Sequence, residues 1–143
     1  MLAIRKAPLL AAMLLAAPAL AVLPEPDGDP DIAAGRSMIE AGRPGLAVEL
    51  LDAVLARLPG DPDVLTYIAF AHRRRNDMAA AEAAYRAALT AHPDHPGALA
   101  YQGSLFLQQG RRAEAEANLA RLTATCGACA ERETLAREIA AAR

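Results

Sequence analysis

Apolar and polar positions along the chain follow a helical period, most clearly from Pro62 to His95. Leu65, Ile68, Ala69 and His72 fall on one helical face, and Ala81 and Tyr85 begin a second face beyond Asn76. The stretch reads as two amphipathic helices joined by a tight turn and ended by Pro93, whose ring clashes with a preceding helical turn. The same pattern recurs one step before and one step after. Gly35, Ala69 and Gly103 are 34 residues apart, and so are Ala47, Ala81 and Ala115. Gly42, Asn76 and Gly110 keep the step at the ends of the first helices, where the chain must enter the left-handed region that Gly and Asn reach at low cost. Pro59, Pro93 and then Gly127 close the second helices.

This period predicts three helical hairpins, over about 28–61, 62–95 and 96–129, and a last helix over 130–143. Asp29 with Pro30, Asp61 with Pro62 and His95 with Pro96 are expected as cap and first residue. Small residues let paired helices approach, so Gly35, Ala69 and Gly103 are expected to meet Ala47, Ala81 and Ala115. Leu51, Tyr85, Leu119, Ile68 and Phe106 should fill the space around them. Three positions depart from the pattern. Asp31 stands where the first unit wants a large residue, so that helix is expected to begin late. Gln102 occupies an apolar site, and Gly127 replaces the closing proline. In the last helix Leu135, Ala136, Ile139 and Ala140 form one apolar stripe, which suits a helix that caps an array and shields its final apolar face.

Residues 1–21 carry a different pattern. Arg5 and Lys6 precede an uncharged apolar run from Ala7 to Ala17, and Ala19-Leu20-Ala21 supplies the small residues that a signal peptidase needs. The expectation is a cleaved signal peptide that is the chain's only membrane contact, followed by an acidic, proline-containing lead-in over 22–29. An alanine-rich chain with Lys6 as its only lysine reads as bacterial, which would make the product periplasmic.

Composition agrees with helices. Apolar residues make up 54% of the chain but aromatics only 3%, and runs of β-branched residues are missing. Net charge is −2, and the leader holds two of the basic residues and none of the acidic ones, so nucleic acid is not an expected partner. No glycine-rich phosphate loop occurs, and Ser37 and Ser104, the only serines, lie outside nucleophile motifs. The chain is therefore not expected to be an enzyme or to need a cofactor.

With three units in register, the chain resembles the tetratricopeptide repeat family. The resemblance implies an all-α, tetratricopeptide-like α-solenoid of three helix-turn-helix repeats with a C-terminal capping helix. It also implies that the first helix of each unit lines a concave groove for a protein or peptide partner. Carried over by position, the groove would show Ile32, Arg36, Ile39 and Glu40, then Asp63, Thr66, Phe70, Arg73 and Arg74, then Ala100, Ser104, Leu107 and Gln108. Phe70 is apolar where packing does not ask for it, and Arg73 and Arg74 offer bidentate partners for carboxylates. The same arginines, with Arg75, also suit the negative end of their helix. The lysine and asparagine clamp that some family members use for a C-terminal carboxylate is missing. The implied role is that of an adaptor or assembly factor; the alternatives are a thiol–disulfide or maturation factor using Cys126 and Cys129, and a fixed structural subunit of a larger complex.

Cys126 and Cys129 form CGAC, and Ala130 in place of a histidine excludes haem attachment. Three readings stand. The pair is a structural disulfide, a redox-active thiol pair, or half of a zinc site with His92 and His95, which lie 34 residues earlier. His72 stands at an aromatic site and is expected to be packed rather than to switch with pH.

Overall fold

A computed structural model describes residues 28–142, and the expected signal peptide and most of the acidic lead-in lie outside them. Seven helices follow one another among the described residues: α1 Pro30–Glu40, α2 Pro44–Arg57, α3 Pro62–Arg74, α4 Met78–Ala91, α5 Pro96–Gln108, α6 Arg112–Thr125 and α7 Ala130–Ala141. No strand occurs among the described residues, and no helix there is long and apolar enough to cross a membrane. The all-α solenoid is thus observed. Each helix packs on the next one and, within the odd-numbered row, on the one two steps along.

The ends of these helices are set by local chemistry. The Asp61 carboxylate accepts from the Val64 N–H at 3.0 Å, and His95 Nδ1 accepts from the Ala98 N–H at 3.1 Å. Asp29 caps α1 through the Asp31 N–H at 2.9 Å. The first-helix ends are copies of one another. Gly42, Asn76 and Gly110 have φ of 76°, 63° and 72°. The next residue in each case bonds back five positions: Arg43 to the Met38 carbonyl, Asp77 to His72 and Arg111 to Phe106, at 2.9, 2.9 and 2.8 Å. This is the Schellman arrangement, and it recurs at the 34-residue step. Helix α1 is two residues shorter than α3 and α5, as Asp31 suggested.

The core runs along the inside of the hairpins. Leu51, Tyr85, Leu99 and Leu122 are fully buried. The crossing contacts differ from the expected pairing of small residues in two units. A Cβ on Gly35 would meet the side chain of Leu51, and one on Gly103 would meet Leu135 of α7, not Ala115. Leu119 is only half-buried, and its neighbour Asn118 turns inward instead. Asn118 Nδ2 donates to the Leu99 carbonyl and to Gln102 Oε1, both at 3.0 Å. The polar Gln102 at an apolar site is therefore satisfied by a second polar residue across the hairpin.

Candidate functional site

The odd-numbered helices α1, α3, α5 and α7 line a concave groove of about 440 Å³. Because they sit in register, equivalent positions fall in rows across it. Asp63, Gly97 and Glu131 form one row, Thr66, Ala100 and Thr134 a second, and Ser104 and Glu138 end a third that starts at Arg36. Tyr67 and Tyr101 stand between these rows with ring centroids 6.4 Å apart in an edge arrangement. Phe70 stacks on Tyr101 at 5.0 Å.

The expected groove residues divide. Arg36, Asp63, Thr66, Arg73, Ala100 and Ser104 line the groove, while Leu107 and Gln108 line an adjoining hollow that shares Arg73, Ser104 and Glu138. Arg74 and Glu40 are exposed and lie outside both. Ile39 is fully buried and belongs to the core with Leu51 and Ile68, and Ile32 packs against the same cluster. Phe70 also packs there, so packing does ask for it, contrary to the sequence reading.

Charge in the groove is unevenly matched. Arg36 is paired with Glu40 at 2.9 Å. Arg73 has no carboxylate partner among the described residues. Its guanidinium lies 5.2 Å from the centre of the Phe70 ring and donates to the Tyr101 carbonyl at 3.4 Å. Asp63 lies 3.1 Å from His95 Nε2, and that hydrogen bond holds its carboxyl below the usual range against the opposing effect of burial. The other ring nitrogen of His95 accepts from the Ala98 N–H, so Nε2 carries the proton that Asp63 receives. Ser104 Oγ donates to Glu138 on α7. Burial pushes the Tyr67 phenol up. Thr66 is 2% exposed, and its hydroxyl has no protein partner among the described residues.

Tyr67, Tyr101, His95, Glu131, Thr134 and Glu138 were not among the groove residues expected from sequence. The signal was present in the period. Positions 131, 134 and 138 stand 34 beyond 97, 100 and 104, so carrying the step into α7 would have found three of them.

The four-ligand zinc arrangement does not form. His95 is occupied as cap and carboxylate partner, and no group of three His, Cys, Asp or Glu among the described residues is placed to hold an ion. Cys126 and Cys129 have Cα atoms 5.6 Å apart, a spacing that a disulfide spans, and both pack against the buried cluster that holds Leu99, Leu122 and Leu135. His72 is half-buried, with Nδ1 3.6 Å from an Asp77 carboxylate oxygen.

Comparison with known proteins gives a consistent picture. The tetratricopeptide repeat profile matches residues 62–105. No curated protein matches the chain. Among solved structures, the chain is similar to the first tetratricopeptide domain of human RPAP3, with a TM-score of 0.68 at 20% identity over 78% of this chain and 88% of that one. It is equally similar to the first such domain of Spaghetti (RPAP3) bound to the HSP90 peptide SRMEEVD, with a TM-score of 0.68 at 20% identity over 78% of this chain and 91% of that one. The centre of the chain thus matches one tetratricopeptide repeat, and the described helices share the fold of tetratricopeptide domains.

Proposed function

We propose that the chain holds an extended segment of a partner protein in the groove of α1, α3, α5 and α7, as an adaptor or assembly factor. The observation that carries this reading is Arg73. A half-buried guanidinium set over an aromatic ring, beside Tyr101 and with no counter-ion among the described residues, is arranged to receive a carboxylate from outside the chain. The similar domain bound to an HSP90 peptide supports a peptide as the occupant. The groove is read as a binding site rather than a catalytic one. The Asp63–His95 pair resembles an acid–base dyad, but the second ring nitrogen of His95 is committed to the helix backbone and offers no base to a substrate.

The sequence of the first 21 residues supports export, and we place this activity in the periplasm. In that oxidising compartment Cys126 and Cys129 join as a structural disulfide that pins the α6–α7 loop.

The test is Arg73→Glu in the exported protein. A partner retained by the native protein and cross-linked to groove residues should be lost, with the helical circular dichroism unchanged. Equal retention by the variant overturns the groove reading. Retention of the precursor in the cytoplasm, with residues 1–21 uncleaved, overturns the export reading.

A further inference from the structure

We infer that the segment held in the groove carries a lysine or arginine side chain, and that α7 receives it between Glu131 and Glu138. This rests on the groove reading above and specifies its ligand.

Helix α7 extends the odd-numbered row by one step, so its inner face is a wall of the groove rather than only an end cap. That wall presents Glu131, Thr134 and Glu138. Both glutamates are half-buried, and neither forms an ion pair among the described residues. The other groove carboxylate, Asp63, has His95. The two groove arginines do not serve the glutamates either, since Arg36 is paired on α1 and Arg73 lies over Phe70 on α3. Two carboxylates partly withdrawn from water without a counter-ion attract a cation from solution or from a ligand.

The geometry favours a side chain. Glu131 and Glu138 are seven residues apart, two turns and about 10 Å along the helix, on one face. A cation on a long flexible stem placed between them reaches either carboxylate. Ser104 already donates to Glu138 and turns it toward α5, and a carboxylate so held keeps further acceptor sites. A second feature points to a ligand independently. The Thr66 hydroxyl, in the row that crosses the groove to Thr134, is buried without a partner, and the backbone of an extended segment would satisfy it. With Arg73 on α3 and the glutamates on α7, the groove has a polarity, and a segment with an acidic group toward α3 and a basic one toward α7 lies across it in one direction only.

The experiment uses an array of random-sequence synthetic peptides probed with the purified protein, its Glu131→Gln/Glu138→Gln variant, its Glu131→Lys/Glu138→Lys variant and Arg73→Glu. Peptides retained by the native protein should be enriched in Lys and Arg. The glutamine pair should weaken the best of them about tenfold, the loss of one charge-assisted contact. The lysine pair should shift the retained set toward Asp and Glu. The glutamine pair keeps an acceptor for Ser104 and remains informative if the lysine pair fails to fold. The same retained set in native protein and both α7 variants, with loss only in Arg73→Glu, overturns this inference and leaves the groove reading intact. No retention by the native protein overturns both.

Discussion

Leu135 occupies the space that Gly103 leaves open. A Cβ on Gly103 would lie 2.7 Å from both methyl carbons of Leu135, and Leu135 is fully buried with nowhere to withdraw. Helix α7 is therefore seated on α5 through the absence of a side chain. Gly103→Ala should destabilise the protein, because overpacking of about 1–3 kcal/mol exceeds the gain of up to about 1 kcal/mol from replacing a helical glycine. Leu135→Ala should cost about 2–5 kcal/mol by leaving a cavity. Gly45, in α2, is the control, since a Cβ there meets nothing within 4 Å, and Gly45→Ala should stabilise by about 0.5–1 kcal/mol. Thermal midpoints of the three variants check the set, and a stabilising Gly103→Ala would refute the seating.

Asp63 and His95 couple two units at the mouth of the groove, and acid should uncouple them. A carboxyl held below its ordinary value stabilises the fold at pH above about 3.9, and that contribution fades as pH falls through the folded value. Asp63→Asn should flatten the loss of stability on this acid limb. In an NMR titration the Asp63 carboxyl should titrate below an ordinary aspartate and return toward it in His95→Ala. An ordinary value in the native protein would remove the coupling.

Tyr85 is fully buried, and its hydroxyl has no protein partner among the described residues. Burial pushes its ionisation up, so in an alkaline titration it should be the last tyrosine to respond. Tyr85→Phe removes a desolvated group without breaking a bond and should raise stability by about 1 kcal/mol, read from denaturant midpoints. A loss of similar size would mean that an unseen partner holds the hydroxyl.

Cys126 and Cys129 close a loop of only four residues. If they are joined as proposed, chain entropy limits their contribution to about 2 kcal/mol. Reduction should lower the thermal midpoint modestly, and the double serine variant should match the reduced protein and no longer respond to reductant. A native protein insensitive to reductant would leave the pair without a structural part.

Much of the fold was legible because the repeat is enforced by backbone needs. Gly42, Asn76 and Gly110 are specified by positive φ, and Asp61 and His95 by unpaired helix N–H groups; such needs show in single residue types. What escaped was pairwise. Leu119 and Leu135 are the same residue type, and only the packed structure shows which one stands over Gly103. Gln102 looked out of place until Asn118 was seen across from it. Phe70 looked spare because its partner Tyr101 comes from the next unit, 31 residues on. The groove residues on the first helices followed from position, whereas those on α7 did not, since that helix was read as an end.

The stacking of helices on near neighbours also governs how the molecule comes apart. Among the described residues no helix contacts one more than two steps along the chain, so each contact between helices closes a short loop and the entropic barrier to forming it is low. Folding should be correspondingly fast and able to begin in any unit, with the α3–α4 hairpin the natural seed because it packs on the hairpins before and after it. Opening should proceed inward from α1 and α7, in steps rather than all at once, so the groove would lose its two outer walls while its centre is still closed.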